Sequence, residues 1–240
     1  MYEYEGPVRY SECDETGRLT IVSMVNYLQD ASMLQADELG IGLQWLRDER
    51  IGWILGAWEM RVGELPRCGE RIRVRTWCHE MSRTHALRCF QMLREDGTEV
   101  VGAESQWFVF DGATGRVSRI PESQRAYLED RPRLDLPPLE RKLRCEGEGT
   151  PCEPLVVREQ SLDTNGHVNN AQYILFAQQA IESLGREVPH GRIAVQYRRM
   201  AWLGETLVPV VHPADGGWTV CLRGDDGEAR AIVRLTGGER

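Results

Sequence analysis

The sequence predicts an α+β fold built twice on one chain, and three observations carry that prediction. Two segments, 21–39 and 170–184, place apolar residues at helical spacing, and each is followed by several strand-like stretches. A short motif ahead of the first helix also recurs, without a gap, ahead of the second. The 240 residues suffice for one large domain or two of ordinary size.

The first half opens with an alternating stretch over 4–10, read as a strand, and a polar turn over 14–18. In the helix over 21–39, Ile21, Met24, Val25, Leu28, Ala31, Ser32 and Leu39 mark one face and Gly40 closes it. Strands follow over 52–62, 70–81, 84–95 and 98–110, with Asp96-Gly97 as a two-residue hairpin turn and Asp111-Gly112 as the end of the run. A short helix is expected over 121–129. From 130 to 152 the composition shifts to Pro132, Pro137, Pro138 and Pro151 among dense charges, with Gly147 and Gly149, which reads as a linker. Beyond it the order repeats: a strand over 155–160, the helix from about 170 to 184, then strands near 192–200, 205–212, 218–223 and 229–236. The expected domains are 1–130 and 153–240, joined by 131–152.

At residue level, Asp14-Glu15-Thr16-Gly17-Arg18-Leu19 aligns with Asp163-Thr164-Asn165-Gly166-His167-Val168, and Gly69-Glu70 answers Gly204-Glu205. Where the second half has Asn165 and His167, the first has Thr16 and Arg18. One active site is therefore expected, on the second half.

The stretch 163–173 is the densest in reactive side chains. Asn169 or Asn170 suits the N-cap and Gly185 the stop, so Asp163, Asn165 and His167 lie on the loop entering a helix N-terminus. Unpaired N–H groups and the positive end of the helix dipole favour a developing oxyanion there. An imidazole with an ordinary pKa of about 6.5 can take a proton at neutral pH. Asp163 can orient His167 or activate water directly, and Asn165 is an uncharged donor for water or a carbonyl. The plainer alternative has Asp163 and Asn169 capping the helix while His167 and Asn165 satisfy the loop. For any one residue that alternative suffices; for the set it does not, because neither capping nor a turn calls for a His, and the first copy manages with Thr16 and Arg18.

Asp163-x-Asn165-x-His167-Val168-Asn169-Asn170-x-x-Tyr173 resembles the active-site segment of the acyl-ACP (acyl carrier protein) thioesterases. The opening Arg9-Tyr10-Ser11-Glu12-Cys13-Asp14-Glu15-Thr16-Gly17-Arg18-Leu19 resembles the start of the bacterial members. The shorter core from Gly166 to Tyr173 is also similar to single-domain hotdog thioesterases that act on acyl-CoA. The resemblance implies a double hotdog: two tandem hotdog domains, each with a long helix wrapped by a curved antiparallel sheet. It implies hydrolysis of fatty acyl-ACP to free fatty acid and carrier protein by Asp163, Asn165 and His167, without metal or cofactor. An acyl-CoA thioesterase and a catalytically silent acyl-binding hotdog protein are the alternatives. The implied partner is acyl carrier protein bearing a phosphopantetheine-linked fatty acyl chain, and a homodimer is left open. One departure stands out. In the plant enzymes a Glu-Cys pair, considered catalytic, follows a Tyr-Arg-Arg element, whereas here Tyr197-Arg198-Arg199 is followed by Met200-Ala201. Neither the group replacing that Glu nor the preferred acyl chain is legible.

The formal net charge of -8 argues against general nucleic-acid affinity, so an acidic partner would need a local basic patch. Arg71, Arg73 and Arg75 alternate with Ile72, Val74 and Thr76, giving either a solvated strand face or a docking face for an acidic carrier. No stretch approaches the roughly 18 apolar residues of a membrane span, and the N-terminus shows no leader pattern, so a cytoplasmic location is expected. Seven cysteines without a Cys-x-x-Cys pair point to free thiols. Cys78-His79 reads as a strand pair rather than a zinc site, because adjacent strand residues face opposite ways. Trp45, Trp53, Trp58 and Met24 either line an acyl tunnel or fill the core.

Overall fold

The computed structural model describes residues 1–238, so the last two residues of the expected second domain, 239 and 240, lie outside the described residues. The chain divides into two compact units, Met1–Gly56 with Gly63–Pro137, and Ala57–Val62 with Pro138–Arg240.

In the first unit β1 (Tyr2–Pro7) leads through a 3-10 turn at Tyr10–Glu12 to α1 (Ile21–Glu38). Thr20 caps α1 by accepting the Ser23 N–H at 3.1 Å, and Ile21, Met24, Val25, Leu28 and Ala31 form its buried face, as the periodicity requires. The sequence reading missed α2 (Leu43–Asp48), which has a single buried residue, Leu46. Then come β2 (Ile51–Val62), of which 57–62 belong to the second unit, β3 (Arg71–Met81), β4 (His85–Arg94), β5 (Glu99–Asp111) and the short β6 (Arg116–Val117). Strands pair antiparallel in the order β1-β3-β4-β5, with β6 on β5, and α1 packs against β3 and β4. The Asp96-Gly97 turn joins β4 to β5, with Gly97 at a φ of 89°. The short helix expected over 121–129 is a 3-10 helix, Glu122–Tyr127.

The second unit runs β7 (Thr150–Pro151), β8 (Leu155–Val156), a 3-10 turn at Glu159–Ser161, α3 (Asn170–Ser183), β9 (Arg192–Tyr197), β10 (Thr206–Ala214), β11 (Gly217–Arg223) and β12 (Ala229–Thr236). Its order is β9-β12-β11-β10-β7, with residues 57–61 of β2 paired to the other side of β9 and β8 on β10. Helix α3 buries Ala171, Tyr173, Ile174, Phe176, Ala177, Ala180 and Ile181 and packs against β10, β11 and β12. Each unit is thus a hotdog, one long helix packed on an antiparallel sheet. The strand expected over 155–160 stops at Val156 because the chain turns into a 3-10 helix, and the one expected over 4–10 ends at Pro7 for the same reason.

The repeat extends to backbone hydrogen bonds. Asp14 N–H to Arg18 O is matched by Asp163 N–H to His167 O, each at 2.8 Å, and Val8 N–H to Glu70 O by Val157 N–H to Glu205 O, each at 2.9 Å.

The linker has no regular structure before Thr150, yet part of it is packed. Leu143 is buried with Ala194, Cys221 and Ile232. The Gln196 side chain on β9 holds this stretch from both ends, accepting the Leu143 N–H at 2.9 Å and donating to Glu140 O at 2.7 Å. Leu143→Ala should therefore cost roughly 2–5 kcal/mol, as large-to-small changes in a packed core do. A urea denaturation curve shifted by less than about 0.5 kcal/mol would show that this stretch is a loose tether.

Candidate active site

Residues 163–168 form the turn into α3 because Asp163 folds it onto itself. Its Oδ1 accepts the Asn165 N–H at 2.8 Å, and Gly166 supplies a φ of 80° that residues with a β-carbon rarely adopt. Asn169 caps α3 by accepting the Ala171 N–H at 2.8 Å. The cap that the plainer reading shared between Asp163 and Asn169 is supplied by Asn169, which leaves the other Asp163 oxygen for different work. Asp163 Oδ2 lies 3.2 Å from His167 Nδ1 and 3.5 Å from the Asn165 side-chain nitrogen, so one turn brings the three expected residues together. The Asp163 and His167 side chains are 21% and 22% exposed, shielded but open to solvent. Burial pushes the Asp163 carboxyl up, but the hydrogen bonds from His167 and the Asn165 backbone outweigh it and hold its pKa below the ordinary value. Asp163 is therefore an anion at neutral pH.

The first unit contains the same turn without the imidazole. Asp14 Oδ1 accepts from Thr16 N–H at 2.9 Å, Thr16 Oγ1 at 2.7 Å and Arg18 N–H at 3.0 Å. The Arg18 guanidinium turns elsewhere, to Glu64 at 2.5 Å and Leu65 O at 3.0 Å. The shared Asp is thus explained by the turn, and what is particular to the second unit is His167.

Sequence reasoning missed the contacts that hold this loop from outside. Trp202 forms a backbone bridge with His167, and the two rings meet edge to face with centroids 5.7 Å apart. Tyr173 Oη accepts the Ala201 N–H at 3.1 Å, fixing the segment that carries Trp202 to α3, and Tyr197 Oη donates to Asn170 O at 3.0 Å. Glu205 accepts the Trp202 N–H at 3.1 Å and pairs with Arg230 at 2.6 Å. One signal was available: the Gly69-Glu70 to Gly204-Glu205 register sets Trp202 opposite Arg67, and Arg67 bridges Arg18 as Trp202 bridges His167. Met200 is half-buried and Ala201 fully buried, so the position of the family's Glu-Cys pair offers neither carboxylate nor thiol.

Other expectations resolve differently. The outer-face arginines of β3 are matched by carboxylates on β1: Glu5 lies 3.9 Å from both Arg71 and Arg73, and Glu3 pairs with Arg75. That face is a largely offset basic patch, because the β1 register sets Glu3 opposite Arg75 and Glu5 opposite Arg73, while Arg71, opposite Pro7, shares Glu5. Trp58 and Met24 are core residues, and Trp45 and Trp53 pack on the cluster of Ala36, Ile41, Cys78, Ala86 and Tyr127. Cys78 and His79 serve different partners, as strand neighbours should: the thiol donates to Glu80 O, while His79 Nε2 sits 2.9 Å from Glu104 Oε1. Metal-binding atoms of His79, Cys89 and Glu104 lie within 4.8 Å of one another, but the protein's own groups engage them. Arg133 forks onto Glu104 at 2.8 and 2.9 Å, and the Leu134 N–H donates to Cys89 Sγ at 3.5 Å. Burial pushes the His79 pKa down, but contacts with Cys89 and Glu104 outweigh it and raise it to about 9.

Comparison with known proteins decides the family. The acyl-ACP thioesterase N-terminal domain matches residues 1–128, and the acyl-ACP thioesterase C-terminal domain matches residues 148–223. The chain belongs to the acyl-ACP thioesterase family. Among curated acyl-ACP thioesterases, the chloroplastic palmitoyl-acyl carrier protein thioesterase of Cuphea hookeriana is 25% identical over 232 residues, covering 88% of this chain and 55% of that protein. The chloroplastic oleoyl-acyl carrier protein thioesterase 1 of Arabidopsis thaliana is 24% identical, covering 82% and 60%. The chain thus spans little more than half the length of these relatives. Among solved structures, an acyl-ACP thioesterase from Bacteroides thetaiotaomicron superposes with a TM-score of 0.83 at 23% identity, covering 98% of this chain and 96% of that one. The 12:0-ACP thioesterase from Umbellularia californica gives 0.81 at 18%, covering 98% and 96%. These likenesses show the hotdog fold. Among the described residues no helix is long and apolar enough to cross a membrane.

The raised His79 pKa has a consequence for stability. Its imidazolium is favoured in the folded chain, so this contribution is complete below the unfolded-state value of about 6.5 and is lost as pH rises. The loss ends as pH passes through about 9. Urea midpoints should fall across that window in the wild type, and the fall should shrink in His79→Gln; equal slopes in both would assign the pH dependence to other groups.

Proposed function

We propose that the protein is a thioesterase that hydrolyses fatty acyl-ACP to free fatty acid and carrier protein, and that Asp163, Asn165 and His167 are its catalytic residues. The observation that carries this is the contact of His167 Nδ1 with the ionised Asp163 at 3.2 Å, on a turn whose first-unit copy lacks the imidazole. With Nδ1 held by the carboxylate, Nε2 is the nitrogen that takes a proton from water as the water attacks the thioester carbonyl. The Asp163 charge stabilises the imidazolium that forms. The Asn165 amide donates to the carbonyl oxygen as it gains charge, aided by the positive end of α3. The C–S bond then breaks, and the thiolate leaves without strong help because a free thiol ionises near pH 8.5, at about its ordinary pKa. The cytoplasm is the proposed location, supported by seven free cysteines, which suit a reducing compartment.

Met200 in place of the family's Glu favours one other reading, a silent acyl-binding protein, and turnover separates the two. Asp163→Asn and His167→Ala should each lower kcat by roughly a hundred- to ten-thousandfold in single-turnover assays on an acyl-ACP panel, as loss of a general base does. Asn165→Ala should cost less, and Arg18→Ala should leave the chemical step intact. Alkylation of accessible thiols should leave hydrolysis unchanged, and inactivation mapped to one cysteine and blocked by substrate would make His167 the partner of a thiolate instead.

A further inference from the structure

A chain of net charge -8 repels an acidic partner at long range, so such a partner has to meet a local excess of cations. The β3 arginines supply little of it, because Glu3 and Glu5 offset two of their three charges. The second unit can supply it. Glu140, Arg141, Lys142, Arg144 and Arg198 line a surface cleft of about 590 Å³. The only carboxylate there, Glu140, is taken by Arg234 at 2.5 Å. Arg141, Lys142, Arg144 and Arg198 are exposed, and among the described residues none of them pairs with a carboxylate. Four uncompensated cations therefore face solvent within one cleft of an acidic protein.

The cleft is built rather than incidental. Gln196 fixes the 140–143 stretch to β9 as described, and its Oε1 also accepts from Arg198 Nη2 at 2.5 Å, so one buried amide sets both walls. Burial of Leu143 turns its neighbours Arg141, Lys142 and Arg144 outward. Arg198 lies four residues before Trp202, which bridges His167, so their Cα atoms are at most roughly 14 Å apart.

We propose that this cleft is the docking surface for the acidic face of the carrier protein that presents the thioester to His167. The inference rests on the acyl-ACP reading above. Four cations spread over a cleft suit a row of carboxylates on a protein surface, and such rim charges act through encounter rate and ionic-strength dependence.

Lys142 is the only lysine of the chain, which makes the test direct. A carbodiimide that joins amines to carboxylates without a spacer should couple the full-length protein to holo carrier protein through Lys142. Lys142→Arg, which keeps the charge, should abolish that product. Binding of carrier protein read by fluorescence anisotropy should weaken at least tenfold in the Arg141→Ser, Lys142→Ser, Arg144→Ser variant and lose most of its salt dependence. Hydrolysis of acyl-pantetheine, which has neither carrier nor phosphate, should be unchanged; loss there would show a damaged fold, in which case the single exposed change Lys142→Glu decides by the same binding readout. Unaltered carrier binding in the triple variant, or no binding by the wild type, overturns the proposal. A defect seen with holo but not apo carrier protein overturns it too, by assigning the cleft to the phosphate of the arm. Wild-type binding of carrier without acyl-ACP turnover would sink the thioesterase reading while leaving the docking surface standing.

Discussion

One carboxylate carries two obligations in the second unit, and the rest of the site depends on its meeting both. Asp163 gives one oxygen to the backbone of its own turn and the other to His167. Had the carboxylate been needed for the helix cap, no oxygen would remain for the imidazole, but Asn169 takes that task. The surrounding phenols reinforce the arrangement from outside: Tyr197 ties the first turn of α3 to β9, and Tyr173 ties it to the segment after β9. The imidazole therefore sits on a turn whose shape is set before any substrate arrives, the condition under which electrostatic stabilisation costs least reorganisation.

The charged residues follow a second rule. Three arginines at the edge of the interior meet a carboxylate in a short, directional contact, Arg133 with Glu104, Arg192 with Glu59 and Arg230 with Glu205, while buried Arg88 is held by Gln35, Thr76 and the face of Tyr127 instead. Removing either member would leave a poorly solvated charge, so these pairs constrain the sequence more than they add net stability. On the surface the rule relaxes, and the β3 arginines and their β1 partners are ordinary solvated pairs.

The long helices and the hairpin were legible because their signals are local. Periodicity and a closing glycine gave α1 and α3 to within a residue or two, with an asparagine cap added for α3, and Asp96-Gly97 is sufficient by itself for a tight turn. The turn of the candidate site was legible for the same reason, since its three side chains lie within five residues. What escaped was set by distant pairing. Six residues of α2 are too few to display a period, and β8 is cut short by a turn that its composition does not announce. The fate of Arg71, Arg73 and Arg75 was decided by the register of β1, seventy residues away in sequence, and the shape of the linker by Gln196 on a later strand. Trp202 came to His167 through a bridge between segments that share no sequence motif.

Trp202 is also the most accessible tryptophan of the seven. The residue is 52% exposed and its ring meets the imidazole of His167, whereas Trp58 and Trp77 are buried. A protonated imidazole quenches indole emission on contact, and an aqueous quencher reaches an indole at a rate set by its exposure. The protein therefore carries an intrinsic optical reporter at its candidate site, one that senses both the charge on the histidine and the arrival of anything that covers it.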